Sequence, residues 1–281
     1  MRKISILMLL AIFVMIFSCK KDDTSSSSSS NANTSFVYKE AEARKAVLEE
    51  FTGVKCGYCP DGHRIMEEIM TENPGKAFCF SLHGGSYSVP YTGDPDLTSP
   101  WSQAIISFTQ VSGYPAGAVN REDLDNDGKI AIGRGSWKGN VATIIGSGNS
   151  PVNIGIKSTF VASSRKLTVI VQYYYTADGG GANKLNVGIT ESGIMTQQSG
   201  SNPPAPAKYE QKNVLRDFFT GQWGDEIATT TAKTFGVKTY TFTVPATWNI
   251  DKCHVIAYMT KGDKSKIYTG EKVIANGGVA N

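Results

Sequence analysis

The chain has 281 residues, a formal net charge of +3 at neutral pH and a hydrophobic content of 40%. This length is enough for about two domains, and the ordinary apolar fraction allows each of them a packed core. Because the net charge is low and the basic residues form no stripe, a nucleic-acid partner is not expected.

The first residues predict export from the cytoplasm. Arg2 and Lys3 form a positive start, and residues 4–17 form an apolar stretch that is short for spanning a bilayer. The stretch ends just before Cys19, in a pattern that resembles a lipobox. We therefore expect a lipoprotein signal peptide over residues 1–18 and a membrane anchor through lipid on Cys19. A plain signal peptide with an incidental cysteine is the alternative.

A segment rich in Ser, Asn and Thr follows Cys19. It cannot bury enough apolar surface to fold, so residues 19–37 are expected to be a flexible tether between lipid and protein. An exported chain meets an oxidising compartment, where a disulfide bond is permitted. Four cysteines remain beyond Cys19, and two of them, Cys79 and Cys253, are expected to be buried free thiols in strands. A second disulfide between these two is the disfavoured alternative, because they lie in different predicted domains.

Residues 38–149 alternate strand and helix signals. The first three elements, strand, helix and strand, predict a right-handed parallel unit. A long loop and a helix, strand and helix follow it. In chain order, the predicted elements are a strand at 45–51, a helix at 60–72, a strand at 77–82, the loop at 84–100, a helix at 101–110, a strand at 118–120 and a helix at 136–145.

From residue 150 the pattern changes to apolar residues at every second position, interrupted by Gly, Pro and Asn. This alternation indicates antiparallel strands packed as a sandwich. The strands are predicted near 152–156, 167–173, 185–190, 240–244, 254–260 and 267–274. We therefore predict an α/β domain over residues 38–149 and an all-β sandwich, immunoglobulin-like or jelly-roll-like, over residues 150–281.

Cys56 and Cys59 lie between the first predicted strand and the first predicted helix. The free N–H groups and the positive dipole end of a helix N-terminus stabilise a thiolate there. Lys55, directly before Cys56, acts in the same direction. A bare CxxC is weak evidence, but this placement favours a thiol–disulfide site.

The order of elements over residues 40–147, with the CxxC before a helix and a Tyr-Pro step before a strand, resembles the thioredoxin fold. The resemblance implies that Cys56 attacks a substrate and that Cys59 resolves the product. It also implies that Pro115 is a cis-proline beside the CxxC. Glu50 would be the buried acid that moves a proton for the resolving cysteine, with Glu49 as the competing assignment.

The chain also departs from thioredoxin at several positions. Lys55 stands where thioredoxins have Trp before the first cysteine, Gly57-Tyr58 replaces Gly-Pro, and Glu50 replaces Asp. The tether, the long loop at 84–100 and the added sandwich are further differences.

Short motifs spread along the chain are similar to those of a more particular family. They are Glu49-Glu50-Phe51-Thr52-Gly53, Cys56-Gly57-Tyr58-Cys59-Pro60, His83-Gly84-Gly85, Gly113-Tyr114-Pro115-Ala116-Gly117, Asn120-Arg121, Asn213-Val214-Leu215-Arg216 and Trp223-Gly224. Together they resemble the outer-membrane lipoproteins named after a twenty-eight-kilodalton antigen, the Omp28-related proteins. The resemblance implies an outer-membrane location, lipid-anchored and facing the periplasm or the cell surface. It implies no established reaction.

Two histidines lie near the CxxC in the predicted α/β domain. His83 closes the second predicted strand at the edge where the CxxC lies, so it can approach Cys56, but ordering of the following loop is the favoured interpretation. His63 lies one helical turn beyond Cys59, and we expect it to face solvent.

Asp123, Asp125 and Asp127 are followed by Gly128, as at the start of a calcium-binding loop. Arg134 then stands where such a loop needs a bidentate glutamate. Calcium binding and an acidic surface turn are therefore both open, and no other cofactor is expected to be required. Zinc is disfavoured because no second close-spaced Cys or His pair exists.

Two functions fit these observations. The first is thiol–disulfide exchange with the thiols and disulfides of exported proteins, with Cys56 and Cys59 as the reacting pair. The second is non-catalytic surface binding or adhesion, in which the Cys56–Cys59 bond is a structural clip. In that case the sandwich and the loop at 84–100 would bind an unknown surface ligand.

Overall fold

The computed structural model describes residues 35–200 and 208–281. The predicted signal peptide, Cys19 and the tether up to residue 34 lie outside the described residues. The last residues of the predicted tether are packed rather than free, because Val37 is buried and the Phe36 N–H donates to Gln172 Oε1 over 2.8 Å. Residues Ser35–Asn281 form one compact unit.

Three α-helices occur in the described part of the chain: α1 (Cys59–Glu72), α2 (Ser102–Phe108) and α3 (Trp137–Gly146). Helix α1 begins at the second cysteine, with Pro60 in the first turn, where a missing N–H breaks no hydrogen bond. Residues spaced three or four apart along α1, including Cys59, Met66 and Ile69, form its buried face. No helix of the described residues is long and apolar enough to cross a membrane.

The strands of the described residues form three sheets. In chain order they are β1 (Ala46–Thr52), β2 (Ala77–His83), β3 (Ala116–Val119), β4 (Ile132–Gly133), β5 (Val152–Val161), β6 (Lys166–Tyr175), β7 (Asn183–Glu191), β8 (Ile194–Thr196), β9 (Tyr209–Gln211), β10 (Val214–Phe218), β11 (Asp225–Ile227), β12 (Phe235–Thr243), β13 (Cys253–Lys261), β14 (Ile267–Ile274) and β15 (Gly278–Ala280). The strands and helices predicted from the sequence are all present, with ends that differ by a few residues.

The largest sheet has nine strands in the order β14-β13-β7-β10-β2-β1-β3-β4, with β11 paired to β7. Strands β1 and β2 are parallel and are connected by α1, as the strand–helix–strand order predicted. Strand β3 is antiparallel to β1. The order β12-β6-β5-β15 forms a four-stranded sheet, and β8 and β9 form a small ribbon.

The C-terminal strands do not all belong to a separate sandwich. Strand β10 pairs in parallel with β2, between Val214 and Ser81, and β7, β13 and β14 continue the same sheet beyond it. A buried strand edge needs a partner for its backbone groups, and β10 supplies it for β2. One sheet therefore crosses the predicted boundary at 149/150. A mixed α/β region followed by a strand-rich region is confirmed, while separate folding of the two stays a prediction.

Each face of the nine-stranded sheet is covered. Helix α2 covers one face, through Ile105 and Ile106. On the other face, α1 and α3 pack on β1–β4, and the four-stranded sheet packs on β7, β13 and β14. The apolar cores thus lie on both sides of the sheet, and the CxxC lies on the side covered by α1.

Candidate functional site

Cys56 and Cys59 form a disulfide at the start of α1, with their Cα atoms 5.4 Å apart. Cys56 lies in the loop after β1, and Cys59 is the first residue of α1. The pair therefore occupies the strand–helix junction that the sequence predicted. Solvent has almost no access to it, because Cys56 is 3% exposed and Cys59 is 0% exposed.

The segment after β8 covers the loop that carries Cys56. The Gln198 side-chain amide donates to the carbonyl oxygens of Gly53 and Cys56, over 3.2 and 3.1 Å. Gln211 in turn donates to Gln198 Oε1 over 2.9 Å, and the Ser199 N–H donates to the Val54 carbonyl over 2.7 Å. Sequence reasoning missed this cover, because a contact across more than a hundred residues leaves no local pattern.

The peptide bond between Tyr114 and Pro115 is cis and directly precedes β3. A Cβ atom built on Gly62 would lie 3.0 Å from Pro115 Cβ and 3.1 Å from Glu50 Oε1. Pro115, Glu50 and α1 therefore meet at Gly62, one helical turn after Cys59, where a side chain has no room.

Glu50 is fully buried on the α1 side of β1. The Ser81 hydroxyl donates to its Oε2 over 2.6 Å, whereas Oε1 has no hydrogen-bond partner among the described residues. Burial without a cation raises the pKa of Glu50 from 4.5 to about 8, so this carboxyl holds a proton at neutral pH. The neighbouring Glu49 lies on the opposite face, where Arg121 donates to both of its oxygens.

His63 is buried, so the expectation that it faces solvent is wrong. Its Nε2 atom lies 2.9 Å from Thr52 Oγ1 and 3.6 Å from Glu50 Oε1, and its Nδ1 atom lies 2.8 Å from the Tyr209 hydroxyl. Burial lowers the pKa of His63 to about 4, which keeps the ring neutral. The spacing from Cys59 on one helix face could have indicated this burial, but Tyr209 is 146 residues away in sequence.

His83 is buried at the end of β2, and neither ring nitrogen has a hydrogen-bond partner among the described residues. Burial lowers the pKa of His83 to about 3. Its backbone forms a parallel bridge with Thr98. That bridge orders the end of the long loop, whereas no hydrogen bond of the described residues joins His83 to Cys56.

A cavity of about 670 Å³ lies between α1 and β9. Pro60, His63 and Met66 line it from α1, and Met195 and Tyr209 line it from the small ribbon. The cavity therefore begins beside the first turns of α1, the helix that starts at Cys59.

The Asp123 carboxylate accepts the N–H groups of Asp127 and Gly128, over 3.1 and 2.9 Å. Asp127 also pairs with Lys129 Nζ, 3.0 Å away. In the described part of the chain, no group of three or more His, Cys, Asp and Glu side chains is arranged to hold a metal ion. Calcium binding through Asp123, Asp125 and Asp127 stays a prediction.

Cys79 and Cys253, the two other cysteines of the described residues, are free and buried. Burial raises the pKa of both thiols. Thiolates are the reactive form, so burial holds both thiols in their unreactive form at neutral pH.

Solved structures share this fold. HBP35 of Porphyromonas gingivalis aligns with a TM-score of 0.65 and 19% identity, over 84% of this chain and 76% of that one. A protein of Agrobacterium tumefaciens aligns with a TM-score of 0.52 and 15% identity, over 84% of this chain and 96% of that one. At such identities the likeness concerns the fold alone. No curated protein matches the chain.

A domain of the outer membrane lipoprotein Omp28 from Porphyromonas gingivalis aligns over 45% of this chain and 89% of its own length, with 18% identity. Its TM-score of 0.32 is too low to carry a structural argument. Family membership rests instead on the sequence.

The family model described as outer membrane protein Omp28 matches residues 102–276, which is more than half of the chain. The matched part contains Pro115, Arg121, Gln198 and Tyr209, and begins after the CxxC. It agrees with the resemblance drawn from the short motifs. The chain therefore belongs to the Omp28 family of outer membrane proteins.

Proposed function

We propose that this protein is an outer-membrane lipoprotein, held by lipid on Cys19, that performs thiol–disulfide exchange on exported proteins. The observation that carries the proposal is the convergence at Gly62. There the disulfide-bearing start of α1 meets the cis Pro115 and the protonated Glu50. The order β1, α1, β2, α2, cis-proline, β3, β4 and α3 supports a thioredoxin-like interpretation of residues 38–149.

The exchange uses the two cysteines in sequence. In the dithiol form, the Cys56 thiolate attacks a substrate disulfide, bonds to one substrate sulfur and releases the other as a thiolate. Cys59 then loses its proton and attacks the Cys56 sulfur. This step forms the Cys56–Cys59 disulfide and releases the second substrate thiolate. The substrate is reduced and the protein pair is oxidised, and the reverse sequence oxidises a substrate dithiol.

Exchange requires Gln198 and Ser199 to move away from the loop that carries Cys56, because Cys56 is 3% exposed beneath Gln198. The Gln198 cover consists of a few hydrogen bonds, each with a net contribution of about 1 kcal/mol in water. Such a cover can open while the strands beneath it stay folded.

The burial of Cys56 also favours a second function, surface binding with the disulfide as a structural clip. The ligand would then contact the strand-rich region or the loop at 84–100. The two functions differ in the stability of the disulfide. A structural bond has a reduction potential below about −300 mV, whereas oxidoreductase pairs lie between about −270 and −120 mV.

The test is equilibration of the purified protein with glutathione and with a dithiol, followed by measurement of the Cys56–Cys59 potential. A second measurement uses the Cys59→Ser variant, which is expected to form a stable mixed disulfide with oxidised glutathione through Cys56. Cys56→Ser is the matched control and is expected to form none, because Cys59 is 0% exposed. A potential below about −300 mV, with no mixed disulfide from either variant, would favour the binding function instead.

A further inference from the structure

We propose that His63 and Tyr209 form a proton path between the buried Glu50 carboxyl and the cavity beside α1. The inference rests on the proposed thiol–disulfide exchange and assigns two residues to it. Neither residue was assigned a role from the sequence.

Glu50, His63 and Tyr209 follow one another from the interior to the cavity. Glu50 Oε1 has no hydrogen-bond partner among the described residues and lies 3.6 Å from His63 Nε2, which bonds Thr52 Oγ1 over 2.9 Å. A small rotation of the Glu50 side chain brings Oε1 within hydrogen-bond distance of Nε2 for the transfer. The Nδ1 atom on the other side of the same ring lies 2.8 Å from the Tyr209 hydroxyl. Tyr209 and His63 both line the cavity of about 670 Å³. Imidazole suits this position because its two nitrogens accept and release a proton on opposite sides.

Other titratable groups of the described residues lie near Glu50, His63 and Tyr209, but none of them connects Glu50 to the cavity. Glu67 approaches from α1, but Asn213 Nδ2 and Lys212 Nζ hold its carboxylate, over 3.0 and 3.4 Å. Cys79 and His83 approach from β2 and are both neutral, since burial raises the pKa of the thiol and lowers that of the imidazole. The geometry therefore leaves His63 as the group that joins Glu50 to Tyr209.

A proton path is needed because the buried Glu50 carboxyl has no direct contact with water. At neutral pH Glu50 already holds a proton, so it must release that proton before it can accept one from Cys59. The Glu50 Oε1–H bond breaks and the proton bonds to His63 Nε2, while the Nδ1 proton passes to the Tyr209 oxygen. The Tyr209 hydroxyl proton passes to water in the cavity. The Glu50 carboxylate then takes the Cys59 proton, and the opposite half-reaction returns one proton along the same path and restores the ring.

The test compares rate with equilibrium in the full protein. Tyr209→Phe removes the hydroxyl, and Tyr268→Phe is the matched control. The Tyr268 hydroxyl, on β14, donates to the Gly179 carbonyl over 2.9 Å and has no part in the cover over Cys56. We expect Tyr209→Phe and His63→Gln to slow oxidation of the dithiol form by oxidised glutathione about tenfold or more near pH 7. Their reduction potentials should stay unchanged, because a proton path alters rates and leaves equilibria alone. Slowing should diminish above pH 8, where Glu50 is already ionised.

Three results are decisive. Tyr209→Phe that reacts as fast as the wild type at every pH overturns the proton path while leaving the exchange function standing. An equal loss in Tyr268→Phe, or a loss in Tyr209→Phe that is independent of pH, assigns Tyr209 a packing role and also overturns the path. A wild-type protein that does not react with oxidised glutathione overturns the exchange function, and the proton path falls with it.

Discussion

Glu49 and Glu50 are adjacent on β1, and both are fully buried. They point to opposite faces of the strand, and in the described part of the chain only Glu49 has a cation beside it. Glu49 faces Arg121, whose Nε and Nη2 atoms donate to its two oxygens over 2.7 and 2.6 Å. The guanidinium also lies near the rings of Phe108, Trp223 and Tyr258. Glu50 faces α1 without a cation, and burial raises its pKa to about 8.

Because of this difference, Glu49 has a structural role as a permanently charged partner of Arg121, whereas Glu50 can gain and lose a proton. A buried ion pair with good geometry holds its charge, and the penalty appears when one partner is removed. A buried acid without a cation gains or loses its proton within the working pH range, which is useful for proton transfer. The CxxC lies on the Glu50 face, so the disulfide and the unpaired acid lie on the same side of the sheet.

The largest expected effect comes from breaking the pair on the Glu49 face. Arg121→Met leaves Glu49 buried without a cation and should destabilise the protein by about 3–5 kcal/mol in urea unfolding at pH 7. The double variant Glu49→Leu, Arg121→Met should recover much of that loss, because it removes both charges from the interior. A loss below about 1 kcal/mol in the single variant would contradict the assigned role of the pair.

Replacing the buried acid on the Glu50 face should raise the stability of the protein, whereas breaking the pair on the Glu49 face lowers it. The folded-state pKa of Glu50, about 8, lies above its ordinary value of 4.5, so the unfolded state loses the proton first as pH rises. The wild type should therefore lose stability between pH 4.5 and about 8, relative to a Glu50→Gln variant. We expect the variant to gain on the order of 3 kcal/mol over the wild type across that window.

Glu49→Gln serves as the control for this pH dependence. It should destabilise the protein at all these pH values, since it leaves the Arg121 charge without its partner. A stability difference between the wild type and Glu50→Gln that stays constant from pH 4.5 to 9 would refute the buried neutral acid.

The smallest expected effect concerns the close approach of α1 to Glu50. Gly62→Ala places a Cβ 3.0 Å from Pro115 Cβ and should cost about 1–3 kcal/mol of stability through overpacking. Gly139→Ala on α3 is the matched control. Its Cβ meets nothing within 4 Å, and the change should stabilise by about 0.5–1 kcal/mol. Equal effects of the two substitutions in thermal unfolding would show that Gly62 has no special packing role.

Much of the local structure could be predicted because its signals are local. The apolar run before Cys56 and the periodic pattern after Cys59 predicted β1 and α1 to within a residue or two. Alternation of apolar residues predicted β7, β13 and β14 as strands. It did not predict which sheet they join, since the same alternation suits either one.

His63 shows where a local signal was misjudged. Its position one turn after Cys59 places it on the face of α1 that carries Met66 and Ile69, which are buried. A polar residue on that face needs a buried partner, and the partners are Thr52 and Tyr209. Thr52 lies nearby on β1, whereas Tyr209 is 146 residues away in the sequence.

The sequence by itself determined the CxxC between a strand and a helix, the proline that follows Tyr114 and the family to which the chain belongs. Only the tertiary structure decided which of two adjacent glutamates lies beside α1, that His63 is buried, and that Gln198 covers Cys56. The physical reason is that strand pairing and helix packing fix these contacts. A one-residue difference in register would turn Glu49 toward α1 and Glu50 toward Arg121, with almost no change in the local sequence pattern.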